Sequence, residues 1–117
     1  MAFWTYWSKP WLKRNFGRNT LFYMKVGYII NHLDPHDRKK ITGLVHFIEE
    51  ELWQSKKEKS IIEQLDAGKD PLSFDPMRLV LHKFREEFRV DDGIPRLGAF
   101  RKKGIKNIRV KLRNGGW

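Results

Sequence analysis

Apolar positions along this chain recur at helical spacing more often than at strand spacing. Over residues 20–33, Phe22, Val26, Ile29 and Leu33 mark one helical face, while Phe22, Met24, Val26, Tyr28 and Ile30 alternate as in a strand. The length of the run favours a helix, and Gly27 with the β-branched residues favours a strand; a helix is the expectation. A strong start signal follows. Asp34 suits an N-cap, Pro35 the first helical position and Asp37 the positive end of the helix dipole. Ile41, Leu44, Val45, Ile48 and Leu52 then keep helical spacing, which predicts a helix over 35–54 with Glu49, Glu50 and Glu51 on its solvated side.

Ser55 and Glu58 have the spacing of a capping box, and Ile61, Ile62 and Leu65 supply the stripe of a second, shorter helix over 56–66, stopped at Gly68. Residues 69–75 read as a loop. Asp75-Pro76 repeats the earlier cap-and-proline arrangement, so Met77, Val80, Leu81, Phe84 and Phe88 are expected on a last helix ending near Arg89. Beyond Asp91-Asp92-Gly93 the texture changes. Glycines interrupt basic residues, and Ile108, Val110 and Leu112 alternate with Arg109, Lys111 and Arg113 as in a short strand near 105–112. At the other end Phe3, Trp4, Tyr6, Trp7, Trp11 and Phe16 stand among Lys9, Lys13 and Arg14, broken by Pro10 and Gly17, which reads as an arm or a short helical turn. The expected fold is therefore mainly α: a compact bundle of three to four helices over 20–92, a basic aromatic arm over 1–19 and an extended basic tail over 93–117.

Composition adds limits. The chain has 117 residues, one domain by length, and 33 of them are Leu, Ile, Val or Phe, well above the roughly 20% below which chains stay disordered. It has no cysteine, which excludes disulfides, thiolate metal sites and cysteine nucleophiles and fits a cytoplasmic or other reducing compartment. No apolar run approaches the ~20 residues of a membrane span. Trp and Tyr stand where a secretory signal would carry a basic region and an aliphatic stretch, so no such signal is expected.

Charge changes the picture most. The net charge is +10, from 24 Lys and Arg against 14 Asp and Glu. Residues 1–33 hold five cations and residues 93–117 hold eight, with no acid in either segment; all fourteen acids lie in 34–92 beside eleven cations. Such asymmetry points to a polyanionic partner. Lys and Arg neutralise phosphates, and Trp or Tyr stacks on unpaired bases.

The expectation is a non-enzymatic nucleic-acid-binding or nucleoprotein-assembly protein. Lys9, Lys13, Arg14 and Arg18, with Arg101, Lys102, Lys103, Lys106, Arg109, Lys111 and Arg113, would contact phosphates. Trp4, Tyr6, Trp7 and Trp11 would stack on bases or fill a partner's pocket. RNA is slightly preferred to DNA, because extended arms suit irregular surfaces. The alternative is an interaction or regulatory subunit docking on an acidic protein, since Trp and Arg also make binding hot spots. Peripheral membrane binding uses the same residues, with Trp4, Trp7 and Trp11 on one face of a helix that Pro10 disfavours. For individual tryptophans, a place in the protein's own core outweighs base stacking.

Other groupings carry less. His32 and His36 are four apart, but the helix start between them denies them a common face, and no third ligand accompanies them. Asp91-Asp92 before glycine could hold a divalent cation, though such pairs are ordinary loop residues. No phosphate-cradling glycine loop, HExxH or GxSxG is present. Neither a cofactor nor a metal is expected.

Overall fold

The aromatic run that begins the expected first helix is instead a strand. The computed structural model of the chain describes residues 2–3, 21–42, 48–82, 85 and 87–115. A two-residue strand, β1 (Ala2–Phe3), pairs in parallel with β2 (Leu21–Lys25), and β2 buries Phe22 and Met24 while leaving Leu21 and Tyr23 half-buried. Both periods are present in residues 20–33. The alternating one prevails over Leu21–Lys25 because antiparallel pairing places Phe22 opposite Val110 and Met24 opposite Ile108. At Val26 the chain turns into a short helix, α1 (Val26–Asn31), and Val26 donates its N–H to the Lys106 carbonyl at 2.8 Å.

Helix α2 (Pro35–Thr42) starts as its sequence predicts: the Asp37 N–H donates to Asp34 Oδ1 at 2.8 Å. Residues 43–47 lie outside the described set. Helix α3 (Ile48–Asp66) then runs unbroken through Ser55, so the expected start of a second helix there is not used. With neither Gly nor Pro between 48 and 66, nothing in the backbone chemistry breaks it. Gly68, at φ +97°, ends it; the Gly68 N–H donates to Leu65 O and the Lys69 N–H to Gln64 O, each at 3.0 Å.

The larger correction comes next. In place of a helix over 76–89 there are two strands, β3 (Met77–Leu81) and β4 (Phe88–Asp92), paired antiparallel. Pro76 precedes β3 and caps no helix. The stripe Met77, Val80, Leu81 misleads because Met77, Leu79, Val80 and Leu81 are all buried, a near-continuous apolar run whose period is ambiguous. Gly93, at φ +119°, opens α4 (Ile94–Lys102), and β5 (Asn107–Asn114) follows. Residues 94–114 are thus packed helix and strand, not an extended tail.

The sheet order is β1-β2-β5-β3-β4, so the last strand in sequence lies in the middle, antiparallel to β2 and parallel to β3. Four of these strands form the body of the sheet and β1 is a small addition at its edge. The architecture is mixed α/β, which overturns the expected mainly α bundle with at most one short strand. Met24, Met77, Leu79, Phe88, Ile108, Val110 and Leu112 line one face of the sheet and pack with Ile29, Leu33, Leu97 and Phe100 from the helical layer. Helix α4 contacts α1, α2 and α3. Glu58 of α3 faces Gly98 of α4, where a Cβ would sit 2.9 Å from its carboxylate, so the missing side chain is what lets the helices approach there.

Candidate nucleic-acid interface

Period-two alternation in β5 buries Ile108, Val110 and Leu112 on the core side and sends Arg109, Lys111 and Arg113 to the opposite face. The register of the neighbouring strands sets what stands beside them. Tyr23 lies opposite Arg109 and Leu21 opposite Lys111 on one side; Arg78 lies opposite Lys111 and Val80 opposite Arg113 on the other. Arg89 pairs with Val80, and Lys25 pairs with Asn107. Lys25, Arg78, Arg89, Arg109, Lys111 and Arg113 therefore share one face of four adjacent strands. Lys25, Arg78, Arg89 and Arg113 are exposed, Arg109 and Lys111 are half-buried, and Val80 is buried among them at 1% exposure.

Among the described residues, acidic groups at this face are few. An irregularity between Arg78 and Leu79 leaves Asp91 as an extra residue on β4, 3.8 Å from the Arg113 guanidinium. Asp92, in register with Arg78, accepts from Arg96 Nη2 at 3.0 Å. Each carboxylate of the Asp91-Asp92 pair thus meets an arginine of its own, an arrangement of ion pairs. Among the described residues no group of three or more His, Asp or Glu is placed to hold a metal. His32 Nδ1 donates to the Tyr28 carbonyl at 2.9 Å, and its ring lies 4.2 Å from that of Tyr28, the position of a helix-end cap.

The cations singled out in the sequence separate into distinct settings. Arg109 is held within the fold: its Nη2 donates to the Phe74 carbonyl at 2.7 Å and its Nε is buried. Lys102 pairs with Glu58 at 2.6 Å and Lys103 with Asp66 at 2.5 Å, so the last residue of α4 and the one after it are tied to α3. These pairs are exposed on at least one side, which keeps their energies small. Lys111 and Arg113 stay on the sheet face. Arg101 and Lys106 are exposed at the end of the sheet where α4 leads into β5. Trp4, Tyr6, Trp7, Trp11, Lys9, Lys13, Arg14 and Arg18 lie outside the described residues.

Sequence reasoning misses Lys25, Arg78 and Arg89 as members of this surface. Their signal is present: Arg78 between Met77 and Leu79, and Arg89 between Phe88 and Val90, repeat the apolar–basic alternation of 108–113. Helical spacing over 76–89 hides it.

Among the described residues, two hollows lie beside the sheet. The larger, about 650 Å³, lies where β2 enters α1 and where α4 returns to β5; Lys25, Arg101 and Lys106 line it, and no acid among the described residues does. The smaller, about 280 Å³, lies at the start of α4 and has mixed lining, with Asp75 and Asp92 beside Lys57, Lys69 and Arg96. The carboxylate of Asp37 is buried away from both, at 5% exposure, and accepts the Val90 N–H at 2.8 Å. Burial pushes its pKa up from the ordinary value of 3.8, and Asp34 adds to that, while the Val90 hydrogen bond and the charges of Lys40 and His36 pull the other way.

Among the described residues no helix is long and apolar enough to cross a membrane. No family model, curated protein or solved structure matches the chain.

Proposed function

We propose that this protein is a non-enzymatic nucleic-acid-binding or nucleoprotein-assembly protein whose contact surface is the basic face of the sheet. The observation that carries this reading is the row Arg78–Lys111 with Arg113 and Arg89 beside it, cations set on neighbouring strands by register, with Asp91 the acid that reaches Arg113 there. Strand register fixes the spacing of these residues along and across the sheet, so their charges can meet successive phosphates, while each exposed side chain still orders on contact. Arg supplies a planar fork that meets a phosphate with two hydrogen bonds, and three of these four cations are Arg. Tyr23, half-buried beside Arg109 on the same face, adds an aromatic edge.

The preference for RNA rests on extended arms. Residues 94–114 are a helix and a central strand, so the proposal is for nucleic acid in general. Affinity for single-stranded RNA, single-stranded DNA and duplex DNA across a salt series tests it. The expected result is a linear fall of log affinity with log salt, with a slope of about −0.7 per phosphate contacted on single strands and about −0.9 on duplex. No binding to any of the three at low salt overturns the reading, and an acidic protein surface then becomes the partner to seek.

A further inference from the structure

The acid-free groove at the end of the sheet has more than charge. Lys25, Arg101 and Lys106 stand exposed around it, Ile30 and Ile105 give it half-buried apolar surface, and the Asn31 and Asn107 amides line it too. Gly27 and Gly104 are also in its lining, and a Cβ built at either meets nothing within 4 Å, so bare backbone keeps the space open. The carbonyls at the adjoining end of α4 are already used: Ala99 O accepts from Lys103 N, Phe100 O from Ile105 N and Arg101 O from Gly104 N. These bonds satisfy the carbonyls, and the exposed Arg101 and Lys106 supply positive charge against the negative end of the helix dipole. A volume of about 650 Å³ falls in the range that holds one small organic ligand.

From this combination we infer that the groove seats one unpaired nucleotide of a bound single strand. Its phosphate lies among Lys25, Arg101 and Lys106, and its base lies on the apolar surface of Ile30 and Ile105, within reach of the side-chain amides. This rests on the nucleic-acid reading above and adds a preference to it. Lys25 belongs to both surfaces: it lines the groove and, opposite Asn107, ends the basic face, so a strand lying on the sheet runs directly into the groove. Bases inside a duplex are stacked and paired. A duplex meets the cations and not the apolar surface, whereas a flexible single strand meets both.

The test uses the full chain with fluorescein-labelled twelve-nucleotide RNA, DNA of the same sequence and the matching DNA duplex. Single strands are expected to bind about tenfold more tightly than duplex. Gly27→Leu, which puts an uncharged side chain into open space at a position of ordinary φ, is expected to weaken single-strand binding about fivefold and leave duplex binding within about twofold. A second measurement does not depend on that variant folding. Uridine monophosphate titrated into the wild-type protein should move the amide resonances of Gly27, Gly104 and Lys106 and leave those of Arg78 and Arg89 in place, with inorganic phosphate a weaker competitor than the nucleotide.

Equal binding of single strands and duplex, with shifts absent from the groove, overturns this inference and leaves the sheet-face reading standing. Equal loss of single-strand and duplex binding in Gly27→Leu, again without shifts at the groove, also overturns it. No binding of any oligonucleotide overturns both.

Discussion

Single residues show how closely local chemistry is tied to the fold. Gly93 and Gly68 both sit at positive φ, but they differ in surroundings: a Cβ at Gly93 would come 2.8 Å from Met77 Cγ, and one at Gly68 meets nothing. Gly68→Ala is expected to cost about 1 kcal/mol, the strain of the backbone alone. Gly93→Ala is expected to cost about 2–4 kcal/mol, because the core must also give way. Urea denaturation of both variants compares them. Asp37 offers a second test. Asp37→Ala leaves the Val90 N–H without its acceptor and should lose about 1–3 kcal/mol. Asp37→Asn keeps an acceptor oxygen and no longer buries a charge. Since burial raises the folded pKa of Asp37, the folded state holds this proton more tightly than the unfolded chain does. Its stabilising effect is therefore fully present below about pH 3.8 and is lost as pH rises through the folded value. Relative to Asp37→Asn, the wild-type protein should lose stability over that window, measured as the difference between the two pH–stability curves.

At the scale of elements, the chain is legible wherever a local signal acts alone. The cap at Asp34, the stop at Gly68 and the alternation of 108–113 each act where they are read, because each depends on neighbours a few residues away; the helix lengths expected from them, 35–54 and 56–66, differ from the 35–42 and 48–66 described. Residues 77–92 are not legible. Whether Met77–Leu81 becomes helix or strand is decided by its parallel pairing with β5, about thirty residues further on, and no local pattern encodes that partner. The same ambiguity hides half of the candidate site, since Arg78 and Arg89 join Lys111 and Arg113 only through register. A deletion distinguishes the two pictures. Removing residues 93–117 would trim a tail from a helical bundle and leave its melting intact; here it removes the middle strand and α4. The expected outcome is loss of cooperative thermal unfolding and of near-ultraviolet circular dichroism.

For the whole molecule, charge and fold occupy opposite sides of one sheet. The apolar side closes the core, and the other side carries Arg78, Arg89, Lys111 and Arg113 around a buried Val80. Arg78→Glu with Lys111→Glu should weaken nucleic-acid binding by about tenfold or more at low salt. On single strands it should also flatten the salt slope by roughly 0.7 for each phosphate no longer neutralised. The pair should shift the melting midpoint little, because Arg78 is exposed and Lys111 half-buried on the side of the sheet away from the core. A large fall in the melting midpoint would mean that these residues serve the fold.

The central place of β5 also governs when the molecule can form during its synthesis. Leu21 and Lys111 are cross-strand partners ninety residues apart in sequence. At roughly 5–20 residues per second of translation, β2 leaves the ribosome about 5–20 seconds before its neighbour exists. Throughout that interval β2 has only the two-residue β1 beside it, and Phe22 and Met24 lack the strand that buries them. Ribosome-stalled chains ending before residue 107 should be cut readily by protease, and chains long enough to free residue 114 from the exit tunnel should resist. Folding of this sheet thus waits on the strand that joins its two halves.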